Sequence, residues 1–173
     1  RPNGNKLQHQ SGQFAVVKVQ KPGLSEPHIF TIASGPDEPA LRFFIRDLGD
    51  WTTKMQTADL HGATVVVEGP YGRFEPTVAH TSRTVWVAGG VGVTPFLSAS
   101  NALDPAPEGE RPVLFYAVRS VDDAMALAAL RQAEDEGRID LRLCSSSLGT
   151  RFSLELLAEH AGPDLSGAHV AVC

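Results

Sequence analysis

Three closely spaced glycines after an apolar run are the residues here best suited to chemistry. They lie in Val85-Trp86-Val87-Ala88-Gly89-Gly90-Val91-Gly92-Val93-Thr94-Pro95. Gly89, Gly90 and Gly92 let a backbone turn sharply and come close to a ligand. A helix opening at Thr94 and Pro95 would turn its unpaired N–H groups and positive dipole end toward a pyrophosphate, with Val91 carried in the turn between. Proline suits a first helical turn, where its missing N–H costs nothing. The spacing is G-G-x-G-x-T-P and not the dinucleotide fingerprint G-x-G-x-x-G, and a tight strand-to-helix turn without a ligand would also look like this. Arg119 and Ser120 follow the next strand-like run, where an acidic residue would suit the ribose 2′-hydroxyl of NADH. Arginine and serine there suit a 2′-phosphate, and Arg151 could add a second contact. Taken singly, each arginine is equally compatible with a solvated surface. NADPH is the expected nucleotide, with NADH possible.

The elements that must hold these residues fall into two halves. Up to about Pro76 the sequence reads as β: Phe14 to Val19, Leu41 to Arg46 and Ala63 to Val67, punctuated by Pro22-Gly23, Gly35-Pro36 and Gly69-Pro70. Short runs between Gly and Pro signals predict an antiparallel barrel or sandwich, with one helix near Trp51 to Asp59. The second half alternates. Strands are expected at Thr84–Ala88, Val113–Val118, Ile139–Cys144 and His169–Cys173, with helices over Asp122–Glu136 (Ser120 and Asp123 forming its capping box) and Leu154–His160 (capped by Ser153). Alternating strands and helices imply a parallel, helix-covered sheet. The fold class is therefore β plus α/β, with domains over 1–78 and 79–173 and a boundary near Val78 to Arg83.

Composition narrows the partners. A formal net charge of −5 supplies no basic field for nucleic acid, so an anionic ligand must be held by local groups. Two cysteines, Cys144 and Cys173, make neither a disulfide framework nor a thiolate metal site. The histidines His9, His61, His80, His160 and His169 lack ligand spacing, so no metal is expected. No apolar run approaches the roughly 20 residues that cross a bilayer. An opening at Arg1-Pro2-Asn3-Gly4 and a stop at Cys173, directly after a strand, read as a fragment, incomplete in the barrel and truncated in the α/β domain.

Pro27-His28-Ile29-Phe30-Thr31-Ile32-Ala33-Ser34, then Ile45-Arg46-Asp47-Leu48-Gly49-Asp50-Trp51-Thr52, then Gly69-Pro70-Tyr71-Gly72, then the glycine turn occur in that order. Together they resemble the ferredoxin–NADP reductase superfamily, most closely its ferric reductase and NADPH oxidase branch. The resemblance covers nearly the whole chain and implies an FAD-binding β-barrel followed by a nucleotide-binding domain. It implies that Phe30 flanks the isoalloxazine and that Thr31 hydrogen-bonds near flavin N5. His28 and Arg46, beside Ile45, would face the FAD diphosphate. The N–H groups around Gly49, Trp51 and Thr52 would cap that diphosphate. Gly69, Tyr71 and Gly72 would form a loop between flavin and nicotinamide, and Cys173 would stand near the reacting nicotinamide carbon. Ile29 replaces the family's proline, a change that removes no ligand atom.

The expected activity is hydride transfer from NADPH to FAD, then single electrons to haem, ferric iron or oxygen. The resemblance implies a membrane haem domain, in the same or a partner chain, with this module on the cytoplasmic side. Two alternatives stay open: a soluble flavoprotein that reduces an iron–sulfur partner, and a non-catalytic dinucleotide-binding sensor.

Overall fold

A computed structural model describes residues 7–77 and 83–173. In the first half, β1 (Phe14–Val19) is central, flanked antiparallel by β2 (His28–Thr31) and β3 (Val65–Tyr71). Ala15, Val17 and Val19 alternate into a small core, as a half-buried strand requires. Helix α1 (Asp50–Thr57) closes that core with Trp51, which packs with Val19 and Leu24. The expected strand over Leu41 to Arg46 does not form: these residues run as coil, tied at Arg42 to Ala33 and Ser34 by two hydrogen bonds. Phe44 explains their apolar character, because it packs against the core of the second half instead of a neighbouring strand.

The second half is a parallel sheet of β4 (Thr84–Gly89), β5 (Val113–Val118), β6 (Asp140–Ser145) and β7 (His169–Val172), in the order β6-β5-β4-β7. Helices α2 (Thr94–Ser100) and α3 (Leu127–Asp135) supply Phe96, Leu97, Leu130 and Ala133 to one face, against Trp86, Ala88, Leu114 and Tyr116. Helix α4 (Leu154–Ala161) covers the other face, where Leu156, Leu157 and Ala161 meet Val85, Val113 and Phe115. Two covered faces explain why β4 and β5 read as nearly continuous apolar runs.

The helix expected over Asp122 to Glu136 is shorter. Ser120 accepts a hydrogen bond from the Asp122 N–H at 3.4 Å, but this caps only a 3-10 turn, Val121–Asp123. Ala126 then takes a left-handed conformation (φ 57°), and α3 starts after it. Ser153 does cap α4, accepting from the Leu156 N–H at 3.2 Å.

The halves are joined by a polar and aromatic seam. Ala33 is buried in the core of the α/β half, and the Ser98 hydroxyl of α2 donates to the Ser34 carbonyl at 2.7 Å. Trp86 stacks on Phe96 at 5.3 Å, and its Nε1 donates to the Pro76 carbonyl at 2.6 Å. The boundary expected near Val78 to Arg83 lies almost wholly outside the described residues, as does His80.

Trp86 is fully buried and serves both a core and the seam. Trp86→Ala is expected to lower unfolding free energy by about 3–5 kcal/mol, read from the midpoint of urea denaturation.

Candidate functional site

Strand order sets where a ligand can enter. From β4 the chain steps outward through β5 to β6, then returns to β7 on the other side of β4. The direction in which the chain crosses the sheet therefore reverses between β4 and β7, which sets the crevice at the carboxyl end of the sheet. Each nucleotide-binding residue expected in the second half lies at this end. Gly89 ends β4; Gly90, Val91 and Gly92 form a 3-10 turn, Gly90–Val93; and Thr94 and Pro95 begin α2. The glycines themselves thus carry the first helical turn, and Thr94 and Pro95 sit buried behind it, with the Thr94 hydroxyl bonded to the Val91 carbonyl at 3.1 Å. Arg119 and Ser120 follow β5, and Arg151 follows the turn after β6.

Gly92 is glycine for want of space. A Cβ there would fall onto the backbone carbonyl of Cys173, and the Cys173 Sγ would lie 3.5 Å from it. The Gly89 N–H donates to the Cys173 carbonyl at 2.9 Å, and the Cys173 N–H donates to Val87 at 3.0 Å. Cys173, expected from the resemblance near the nicotinamide, is thus in direct backbone contact with the glycine turn. Its thiol faces the turn, and burial there pushes the thiol above its ordinary range.

A cavity of about 690 Å³ opens beside this turn. Its lining includes Gly90, Arg119, Ser146 and Arg151, joined by Arg46 and Asp123. Three arginines and one aspartate from separated stretches of chain thus line one volume, a net positive set suited to phosphate. Asp123 was legible in the sequence only as a capping residue. Its role as a wall of this cavity depends on the 3-10 turn that ends before Ala126.

In the β half, residues directly opposite across β1 share a face. His28 and Phe30 pair with Val17 and Ala15, while Thr31 pairs with Phe14, which also pairs with Tyr71. His28 and Phe30 are met by the Trp51 ring, whose centroid is 3.9 Å from His28 and 5.9 Å from Phe30. These three expected flavin residues therefore form one aromatic stack. His28 Nε2 and Trp51 Nε1 are both buried in it without a hydrogen-bond partner. Two nitrogens without a hydrogen bond, His28 Nε2 with the Glu26 carboxylate 3.9 Å away, fit an incoming acceptor such as a flavin or phosphate oxygen. The opposite face carries Thr31, Phe14 and Tyr71. Phe14 was not singled out from sequence, yet its ring lies 5.9 Å from that of Tyr71 and 3.1 Å from where a Cβ on Gly72 would stand. Gly69 and Gly72, both at positive φ, let the loop fold down onto it. Tyr71 donates to Glu68 at 2.7 Å, and that bond holds the phenol above its usual range.

At the start of α1, Gly49 precedes the helix and the Thr52 hydroxyl accepts from the N–H groups of Leu48 and Gly49 at 2.9 and 3.0 Å. The Asp47 carboxylate accepts from Thr53 at the same end. This helix end is already served by its own side chains, and two carboxylates, Asp47 and Asp50, flank it. Ile45 is half-buried between Phe44 and Arg46. Arg46 points into the cavity of the other half, not to the start of α1.

The raised Cys173 thiol gives a pH signature. The thiolate is the reacting form, so alkylation by iodoacetamide at pH 8 should run slower than for a free peptide thiol and climb steeply only above that pH. Peptide mass spectrometry after timed labelling reads the rate. A rate equal to the free thiol's would contradict the raised thiol of this otherwise exposed residue.

Residues 1–75 match the family model of an FAD-binding domain. Dual oxidase 2 of Sus scrofa is 33% identical over 106 residues, covering 57% of this chain and 7% of that protein. NADPH oxidase 1 of Rattus norvegicus is 34% identical over 91 residues, covering 50% of this chain and 16% of that protein. The chain thus spans only a small part of the curated relatives it matches. Among solved structures, a variant ferredoxin–NADP+ reductase of Plasmodium falciparum in complex with 2′P-AMP superposes with a TM-score of 0.73 at 14% identity, covering 100% of this chain and 81% of that one. A cytochrome P450 reductase of Amycolatopsis gives a TM-score of 0.74 at 20% identity, covering 98% of this chain and 54% of that one. Sequence thus likens residues 1–75 to an FAD-binding domain and about half of the chain to dual oxidases and NADPH oxidases, and the fold is that of the ferredoxin–NADP+ reductase structures.

Proposed function

We propose that this chain is the FAD- and NADPH-binding module of a flavin-dependent NAD(P)H oxidoreductase, divided into an FAD-binding domain over 1–78 and a nucleotide-binding domain over 79–173. The observation that carries this reading is the convergence of Arg46, Arg119 and Arg151 on one cavity beside the Gly90 turn, at the crevice end of the parallel sheet. Bound FAD would supply the redox chemistry, taking a hydride from NADPH and releasing electrons one at a time.

The chain's own residues bind and orient. Arg119, with Ser120 and Arg151 beside it, selects the 2′-phosphate of NADPH; the complex of the Plasmodium enzyme with 2′P-AMP supports a ligand of that class. The glycine turn lets the pyrophosphate approach the backbone. His28 and Trp51 offer buried nitrogens to the flavin, and Phe30 flanks its ring system. Thr31 provides a hydroxyl near N5. The loop of Gly69, Tyr71 and Gly72 separates the flavin from solvent and orders the nicotinamide, while Cys173 packs beside the reacting carbon. Direct transfer requires the two rings in close contact with water excluded. A seam that clamps the end of β2 to α2 supports such contact.

The resemblance to dual oxidases and NADPH oxidases supports a haem-bearing membrane partner, in the same chain or another, and a position at the cytoplasmic face. Among the described residues, no helix is long and apolar enough to cross a membrane.

Anaerobic titration of FAD-loaded protein tests the reading. NADPH should bleach the flavin absorbance stoichiometrically, and NADH should need about tenfold more, because it lacks the charged group that Arg119 binds. Protein that takes up no FAD, or a bound flavin that neither nucleotide reduces, would refute it.

A further inference from the structure

Glu38 lies in the loop that leaves β2, outside the lining of the nucleotide cavity, and gathers three donors on one carboxylate. Oε1 accepts from the Gly35 N–H at 2.8 Å and from the Asn101 side-chain amide at 2.9 Å. Oε2 accepts from the Arg42 guanidinium at 2.9 Å. Gly35 and Arg42 belong to the same loop, which is closed at its base by hydrogen bonds from the Ala33 N–H to the Arg42 carbonyl and from the Arg42 N–H to the Ser34 hydroxyl. Asn101 belongs to the other half, as the residue that ends α2. Hydrogen bonds to a carboxylate are stronger than those between neutral groups, and this side chain is only 27% exposed. The contact is also close. A Cβ on the buried Gly35 would lie 3.1 Å from the Asn101 Cβ, so the loop rests directly on the helix end.

Helix α2 carries the glycine turn at its other end. Its seven residues are all buried, and it is about 10 Å long, so it moves as one body. Ser98 and Asn101, three positions apart, share one face of it, and both bond to the exit of β2. The Ser98 bond alone would leave the helix free to pivot; the second, about 4.5 Å farther along the axis, stops the pivot.

We propose that Glu38 is a positioning residue for hydride transfer: its carboxylate locks the end of α2 to the β2 loop and so sets how closely the glycine turn approaches Thr31. This rests on the flavin and nucleotide reading above and adds a residue that touches neither ligand. FAD and the dinucleotide each keep their own binding groups when the lock is lost, but the angle between the two sites is no longer fixed. Direct transfer is sensitive to that angle, since a misplacement of about 1 Å can cost about a hundredfold.

The test uses FAD-loaded protein, anaerobic stopped-flow mixing with saturating NADPH, and calorimetry with FAD and NADP+. Glu38→Ala should slow flavin bleaching about tenfold and weaken the long-wavelength absorbance of stacked rings, with both affinities within about twofold of wild type. Asn101→Ala reads the same lock from the half-buried helix end and should slow bleaching to the same extent. The double variant should be no slower than either single one, because both remove one interaction. Glu38→Gln keeps an acceptor for Asn101 and should recover part of the rate. A wild-type bleaching rate in Glu38→Ala or Asn101→Ala would overturn the assignment, as would losses that multiply in the double variant. A fall in FAD or NADP+ affinity as large as the fall in rate would also overturn it, since the effect would then be general loosening. In each of those cases the hydride reading stands; wild-type flavin that NADPH does not bleach overturns both.

Discussion

The end of β2 is clamped to the helix that follows the glycine turn, and the rest of the site depends on that clamp. Ala33 is buried among Val93, Phe96 and Leu97, and the Ser34 carbonyl accepts from both Ser98 and His9, at 2.7 and 3.1 Å. Thr31 lies only two residues upstream of Ala33, so its place relative to the turn is fixed by packing and hydrogen bonds and not by a free linker. Buried apolar contact and satisfied backbone groups tolerate little displacement. The Trp86 indole, bonded to Pro76, and Asn101, which donates to Glu38 at 2.9 Å, hold the same seam farther along.

A second contact sets the depth of the crevice. Gly92 admits Cys173 against its backbone, so the end of β7 and the turn after β4 meet with no side chain between them. The sheet order makes this the point where the connections diverge, and the cavity opens on the β5 and β6 side of it. Strand order and the folded chain together bring Arg46 and Arg151, far apart in sequence, to the wall of one cavity.

Much of this was legible in the residues themselves. Short apolar runs marked β1, β4 and β5, and four ordered motifs carried the family resemblance. What escaped depended on contacts distant in sequence. Leu41 to Arg46 has the composition of a strand, yet Phe44 is apolar because it packs across the seam. Ala124 and Met125 fit a helical face and pack on the core, but Ala126 turns left-handed and delays α3 to Leu127. No local pattern reports the stack of Trp51 on His28, the floor that Phe14 gives to Tyr71, or the crossing of Arg46 into the other half.

Ring contact in the cleft is the central claim, and long-wavelength absorbance reads it directly. When FAD-loaded protein is mixed with NADPH without oxygen, a broad band beyond the flavin envelope should appear, since stacked nicotinamide and flavin rings exchange charge only in close contact. Flavin reduction without any such band at any time after mixing, or a band that persists when Gly92→Val pushes the turn away from Cys173, would contradict the account.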